Sequence, residues 1–234
     1  LPDCFQGNDD QRSIAARAPS RAELGLPEAG FVFCAFNNLY KINPPMFDVW
    51  MRLLRAVPDG VLWIAADSAG VRGNLAAEAA RRGVAARRLV FAPRIAYPEH
   101  LARLRLADLF LDTLPFNAGA TASDALWAGL PVLTCSGASF AARMAGSLLR
   151  AIGLPELITH SLDEYEAQAL KLARTPALLA GIRNRLERNR TTSPLFDTKR
   201  FCRHLESAYL TMHEKLRRGE PPAGFGVART RAAP

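Results

Sequence analysis

Short, continuously apolar runs recur along the chain, and each is followed by a stretch of helical spacing. Phe31-Val32-Phe33-Cys34-Ala35-Phe36 is the first run, with the character of a strand covered on both faces. Val61–Ala65, Leu89–Ala92, Leu109–Asp112 and Val132–Cys135 follow. After the first run, Pro44 and Pro45 suit the opening turn of a helix, where a missing N–H needs no partner. Met46, Phe47, Trp50, Leu53, Leu54 and Val57 continue at helical spacing. Further helices are predicted over 73–82, closed by Gly83, over 98–106, over 121–128, ended by Gly129 and Pro131, and over 140–152. Strands alternating with helices imply βαβ units, a parallel sheet and right-handed crossovers.

After Gly153 the pattern is helical only, over 163–174, 176–189 and 198–216. The last of these places Phe201, Leu205, Tyr209, Met212 and Leu216 on one stripe. Residues 1–30 carry Pro2, Gly7, Pro19, Gly25, Pro27 and Gly30 without periodicity, which reads as an irregular arm or interdomain linker. Residues 219–234, rich in Pro, Gly, Ala and Arg, read as a disordered tail. The expected fold is α/β. A Rossmann-like parallel sheet, with helices on both faces, fills residues 31–218, and its C-terminal helices begin near residue 161.

Composition narrows the class. The 234 residues are 49% apolar and 22% charged, which excludes collagen-like, coiled-coil and globally disordered chains. No apolar run approaches the ~18 residues of a membrane span. Leu1–Asp10 lacks the basic and apolar regions of a secretory signal. The chain opens on Leu1 with no initiator Met, so a fragment is expected. The four cysteines are isolated, with no C-x-x-C pair, and a reducing, cytoplasmic setting is expected. Thirty basic residues against 22 acidic ones give +8. The excess is Arg in scattered doublets such as Arg81-Arg82 and Arg217-Arg218, without interleaved aromatics, so neither nucleic acid nor membrane is an expected partner.

In an open parallel sheet, ligands bind outside the carboxyl ends of the strands. The loop after the first strand holds Asn37-Asn38-Leu39-Tyr40-Lys41, with the only Lys of the first 170 residues. There an ammonium can neutralise a phosphate, although a solvated surface Lys is the plain alternative. The loop after the third strand carries His100, with Arg103 one turn on and facing the same way. The loop after the fourth, Pro115-Phe116-Asn117-Ala118-Gly119-Ala120-Thr121-Ala122-Ser123-Asp124, is rich in small residues and opens a helix. Backbone N–H groups and about half an elementary charge at the helix end suit an anion. Thr121 can cap that helix and donate its hydroxyl, and Asp124 can accept from a ribose diol; the plain alternative is that both only cap. No G-x-G-x-x-G, P-loop, nucleophile triad or Asp-x-Asp is present, Asp108 and Asp112 read as structural, and no metal is expected.

Several of these segments, in this order, resemble one family. They are Phe33 to Ile42, Leu106-Ala107-Asp108 through Leu111-Asp112-Thr113, Ser123 to Pro131, and Ser193-Pro194-Leu195-Phe196-Asp197-Thr198. Together they resemble the C-terminal catalytic half of protein O-linked N-acetylglucosamine transferases, the SPINDLY-like group, over roughly residues 1–215. The resemblance implies the C-terminal domain of a GT-B fold. It also implies an inverting, metal-independent enzyme that needs no cofactor and moves a sugar from a UDP-sugar donor to Ser or Thr of an acceptor protein. Relatives carry an N-terminal catalytic half and many carry tetratricopeptide repeats, neither of which this chain contains.

Residue by residue, the resemblance gives Lys41 the diphosphate and the catalytic role of stabilising the leaving UDP. Asn38 and Thr121 fall near the diphosphate, where Gly119 and Ala120 would offer only backbone N–H groups; Ala96 would contact the base through its backbone, with His100 and Arg103 at the base and Asp124 at the ribose. Asn117, in the same small-residue loop, is a further substrate-binding candidate. Many members read His-Thr-Thr where this chain has Gly119-Ala120-Thr121, and some place a ribose-contacting Lys where Pro98 stands. N-acetylglucosamine, glucose and fucose donors stay open. So does a catalytically impaired nucleotide-sugar-binding or scaffold module. A UDP-sugar 2-epimerase would need cleft carboxylates that the sequence does not place.

Overall fold

Six strands form one parallel sheet in the order β3-β2-β1-β4-β5-β6, in a computed structural model that describes residues 1–229. The strands are β1 (Val32–Ala35), β2 (Val61–Ala65), β3 (Leu89–Ala92), β4 (Leu109–Leu111), β5 (Val132–Cys135) and β6 (Ile158–Thr159). The helices between them are α1 (Pro44–Ala56), α2 (Ala69–Arg81), α3 (Tyr97–Leu104), α4 (Ala120–Ala128) and α5 (Met144–Ala151). Then come α6 (Leu162–Arg174), α7 (Pro176–Thr192) and α8 (Thr198–Arg217). Central β1 and β4 are buried along their whole length, as continuous apolar runs require. Phe33 pairs with Leu62 on one side and Leu109 on the other. Phe33, Trp50, Trp63 and Phe110 anchor the core at 1% exposure or less.

Helix boundaries follow their caps. Pro44 and Pro45 do open α1, and Asn43 accepts from Met46 N–H at 3.1 Å. Gly129 closes α4 at φ 87°, the left-handed conformation of a helix stop. Two expectations are corrected. Helix α2 starts at Ala69 behind Ser68, four residues before 73, because a hydroxyl cap and not an apolar stripe sets its start. The region after Gly153 is not helical only: β6 pairs with β5, and Thr159 Oγ1 donates to Thr134 O at 3.0 Å. Helix α5 begins at Met144 behind a 3-10 turn at Ala141–Arg143. The α8 stripe is mostly open, with Tyr209, Met212 and Leu216 each at least 50% exposed.

Residues 1–30 are irregular apart from a 3-10 turn at Ala22–Leu24, yet they pack onto the domain. Cys4, Asn8 and Leu26 are buried. Arg200 forks onto Asp3 at 2.7 and 3.2 Å, and Arg21 meets Asp108 at 2.9 Å. Of the expected tail, Gly219–Arg229 has no helix or strand, and residues 230–234 lie outside the described residues.

The strand order reverses between β1 and β4, so the crevice outside their carboxyl ends is the natural ligand site. Truncating a core ring should cost far more than truncating a surface one. Phe110→Ala should lower the unfolding free energy by about 3–5 kcal/mol. Tyr209→Ala on open α8 should change it by less than about 0.5 kcal/mol. Urea unfolding of both variants checks the contrast.

Candidate functional site

The crevice is built on Asp112, at the end of β4. Its Oδ1 accepts from Thr113 N–H and Ala118 N–H, both at 2.7 Å, and its Oδ2 from Thr134 Oγ1 at 2.7 Å. Burial pushes this carboxyl up to about 6, with the hydrogen bonds opposing. The bonds shape the loop that leads into α4. Asn117 lies under that loop, fully buried, and its amide donates to Thr113 O at 2.8 Å and Cys135 O at 3.2 Å. Its side-chain amide is engaged with the protein, while its backbone carbonyl reaches the crevice residues.

Lys41 enters from the other side. A 3-10 turn at Leu39–Lys41 follows β1, and the loop is tied across the crevice by Asn43, which donates to Leu114 O at 2.6 Å. Lys41 Nζ donates to Asn117 O at 3.0 Å and stands 3.9 Å from the Phe116 ring centroid. Burial pushes its ammonium below the usual lysine value, while Asp112 pulls it back up. Helix α4 starts beside it. Gly119, not Thr121, is its N-cap, and no side chain caps it, so the first-turn N–H groups are of the kind a helix leaves unmet. Thr121 donates instead to Asn37 Oδ1 at 3.1 Å. A Cβ on Gly119 would come within 2.6 Å of Met144 Cε, so Met144 fills the space a side chain would take; neighbouring Ala120 is exposed.

A cavity of about 310 Å³ adjoins this loop at the ends of β1, β2 and β3, lined among others by Asn38, Asp67, Tyr97 and His100. Arg103 donates to His100 Nδ1 through Nε at 3.2 Å and through its second nitrogen at 2.9 Å, and to Pro93 O at 2.7 Å. A guanidinium only donates, so Nδ1 accepts and the ring proton sits on Nε2. Burial first, then the Arg103 charge, lowers His100 to about 4. His100 is thus a neutral donor at physiological pH. Arg103 is 3% exposed and stacks 4.8 Å from the Phe36 centroid. It braces His100 from beneath and also lines the cavity. Ala96 is exposed at the start of α3, and its carbonyl already accepts from His100 N–H at 2.8 Å.

Asp124 joins the two parts. Its Oδ1 accepts from Tyr97 OH and from Arg12, each at 2.7 Å, so it does more than cap a helix. Arg12, Asn37 and Tyr97 were not foreseen as site residues. Asn37 had a visible signal, a polar residue directly after a buried strand, whereas Arg12 had none. Among the described residues no three His, Cys, Asp or Glu side chains form a metal-holding group, and no helix is long and apolar enough to cross a membrane.

A doubly wound parallel sheet with a crevice at its switch point defines a Rossmann-like α/β domain. A glycosyl transferase family 41 model matches residues 4–205, and the chain belongs to that family. It is 37% identical over 233 residues to an Arabidopsis thaliana protein named a probable UDP-N-acetylglucosamine–peptide N-acetylglucosaminyltransferase, SEC, covering 97% of this chain and 24% of that one. A solved mutant of the Thermobaculum terrenum O-GlcNAc transferase matches with TM-score 0.79 and 32% identity, over 94% of this chain and 40% of that one. The C-terminal domain of a Francisella tularensis glycosyl transferase group 1 family protein shares the fold, at TM-score 0.58 and 14% identity, over 80% of this chain and 97% of that one. The chain spans about a quarter or less of the curated relatives' length.

The His100 environment has a checkable sign. The unfolded chain takes up this proton near 6.5 and the native state only near 4, so His100 withdraws stability as pH falls through that window. NMR titration should find the His100 midpoint near 4 and the Nε2–H tautomer at neutral pH. A midpoint near 6.5 would contradict the buried, Arg103-braced ring.

Proposed function

We propose that this chain is the donor-binding half of an inverting, metal-independent protein glycosyltransferase. It would take N-acetylglucosamine, or a related sugar, from a UDP-sugar to Ser or Thr of an acceptor protein. One observation carries the reading: the Lys41 ammonium, 3.0 Å from Asn117 O, stands across the switch point beside the uncapped end of α4. The names of the Arabidopsis and Thermobaculum relatives supply the chemical class.

In this reading the diphosphate accepts from the first-turn N–H groups of α4, from the Thr121 hydroxyl and from Lys41. Negative charge grows on UDP as the sugar leaves, and the ammonium and helix end are already placed where it develops. The ribose binds at Asp124. The base lies against His100, whose Nε2–H donates, and beside Ala96 and Asn38. The acceptor site and any proton acceptor belong to the remainder of the protein.

The second reading, a nucleotide-sugar-binding or scaffold module without transfer, is favoured by Gly119 and Ala120, which bring no side-chain donor to the phosphates. Lys41→Ala in the full-length protein separates the two. Loss of one preorganised donor to a developing charge should lower transfer by about 10²–10³-fold; transfer unchanged by the substitution would sink the first reading. For the 234-residue chain alone, calorimetric titration should find weak binding of UDP, tighter than that of GDP, and assays should find little sugar transfer. Multiple turnovers by the isolated chain would contradict its assignment as a half-site.

A further inference from the structure

The N-terminal arm reaches the crevice through one side chain. Arg12 donates to Asp124 Oδ1 at 2.7 Å and to Ser123 Oγ at 3.0 Å. Ser123 Oγ donates onward to Asn8 Oδ1 at 2.6 Å. The guanidinium lies 5.3 Å from the centroids of both the Trp127 and the Phe196 rings. Its main chain is held as well, since Trp127 Nε1 donates to Arg12 O at 3.1 Å, and its Nε donates to Asp9 O at 2.9 Å. Only 8% of the side chain is exposed. An exposed ion pair spends side-chain entropy and is screened by solvent; this fork is fixed by two rings and three hydrogen bonds of its own before any ligand arrives.

The other donor to Asp124, Tyr97 OH, meets the same oxygen, Oδ1. Neither bond uses Oδ2. Two donors converging on one oxygen set the rotation of the carboxylate plane, and a preset acceptor binds a hydroxyl without the cost of ordering itself on binding. Tyr97 also lines the cavity at the ends of β1, β2 and β3.

We propose that Arg12 is a positioning residue of the donor site. It acts through Asp124, turning the carboxylate so that Oδ2 receives a ribose hydroxyl, and it makes the arm of residues 1–30 part of the nucleotide site and not only a linker. This rests on the nucleotide-sugar reading above.

The test titrates the 234-residue chain with UDP and with its 2′-deoxy and 3′-deoxy analogues. A hydroxyl bonded to a charged acceptor is worth about tenfold or more in affinity, so the wild type should prefer UDP over one deoxy analogue by that factor, and Arg12→Gln should bring the preference to within about twofold. Arg17→Gln, which alters an exposed arm residue paired with Glu23, should keep the full preference. The ratio is taken within each protein, so a smaller folded fraction moves both ligands alike and leaves it unchanged. Should Arg12→Gln fail to fold, Arg12→Lys, which keeps the charge but not the fork, and Tyr97→Phe should each show a reduced preference. Equal weakening of all three ligands in the Arg12 variants, with the preference intact, would show a structural role and overturn the inference while leaving the nucleotide reading standing. Absence of UDP binding by the wild type, or binding with no ribose preference, would remove the reading of Asp124 and this inference with it.

Discussion

One buried carboxylate holds the crevice together. Asp112 sits at the end of the central strand β4, fully enclosed, and collects the N–H groups at both ends of the loop it opens together with the Thr134 hydroxyl. A buried carboxyl is tolerated only when its oxygens are met, and here Thr113 N–H, Ala118 N–H and the Thr134 hydroxyl meet them, with Asn37 Nδ2 a fourth donor at 3.5 Å. The same bonds fix where Asn117 O points, hence where Lys41 rests, and where α4 begins. Without that acceptor the loop has no reason to keep its shape, and the crevice goes with it.

Electrostatics at the crevice share a direction. Burial lowers both Lys41 and His100, so the site holds an ammonium short of water and an imidazole that stays neutral. An anion beside Lys41 would relieve part of that desolvation, which is how a site built this way favours a diphosphate over a neutral ligand. The neutral imidazole, fixed as an Nε2–H donor by Arg103, matches an acceptor edge and adds no positive charge. Asp112 is enclosed and Asp124 is already met by Arg12 and Tyr97, while Asp67 at the cavity accepts from Arg94 N–H.

The sheet was legible because its strands are apolar on both faces. Val61–Ala65, Leu89–Ala92 and Val132–Cys135 coincide with the apolar runs residue for residue. Two-residue β6 carries no period, and the start of α2 depends on a single hydroxyl, so neither left a pattern to read. Lys41 stood out as the only lysine of the first 170 residues in an Arg-rich chain, and the small-residue loop marked the start of α4. What residue type cannot disclose is the side from which a group is reached. Asn117 and Arg103 lie within the site and also serve the fold, one holding a loop and the other bracing a ring. Arg12 pairs with a residue 112 positions away, a separation at which local sequence says nothing about contact.

A crystal structure of this chain with UDP would place the diphosphate directly. Its oxygens should lie within hydrogen-bonding distance of Lys41 Nζ, Thr121 Oγ1 and the first N–H groups of α4, between the ends of β1 and β4. A nucleotide bound elsewhere, or a diphosphate that leaves Lys41 Nζ engaged only with Asn117 O, would contradict the assignment of this crevice as the donor site.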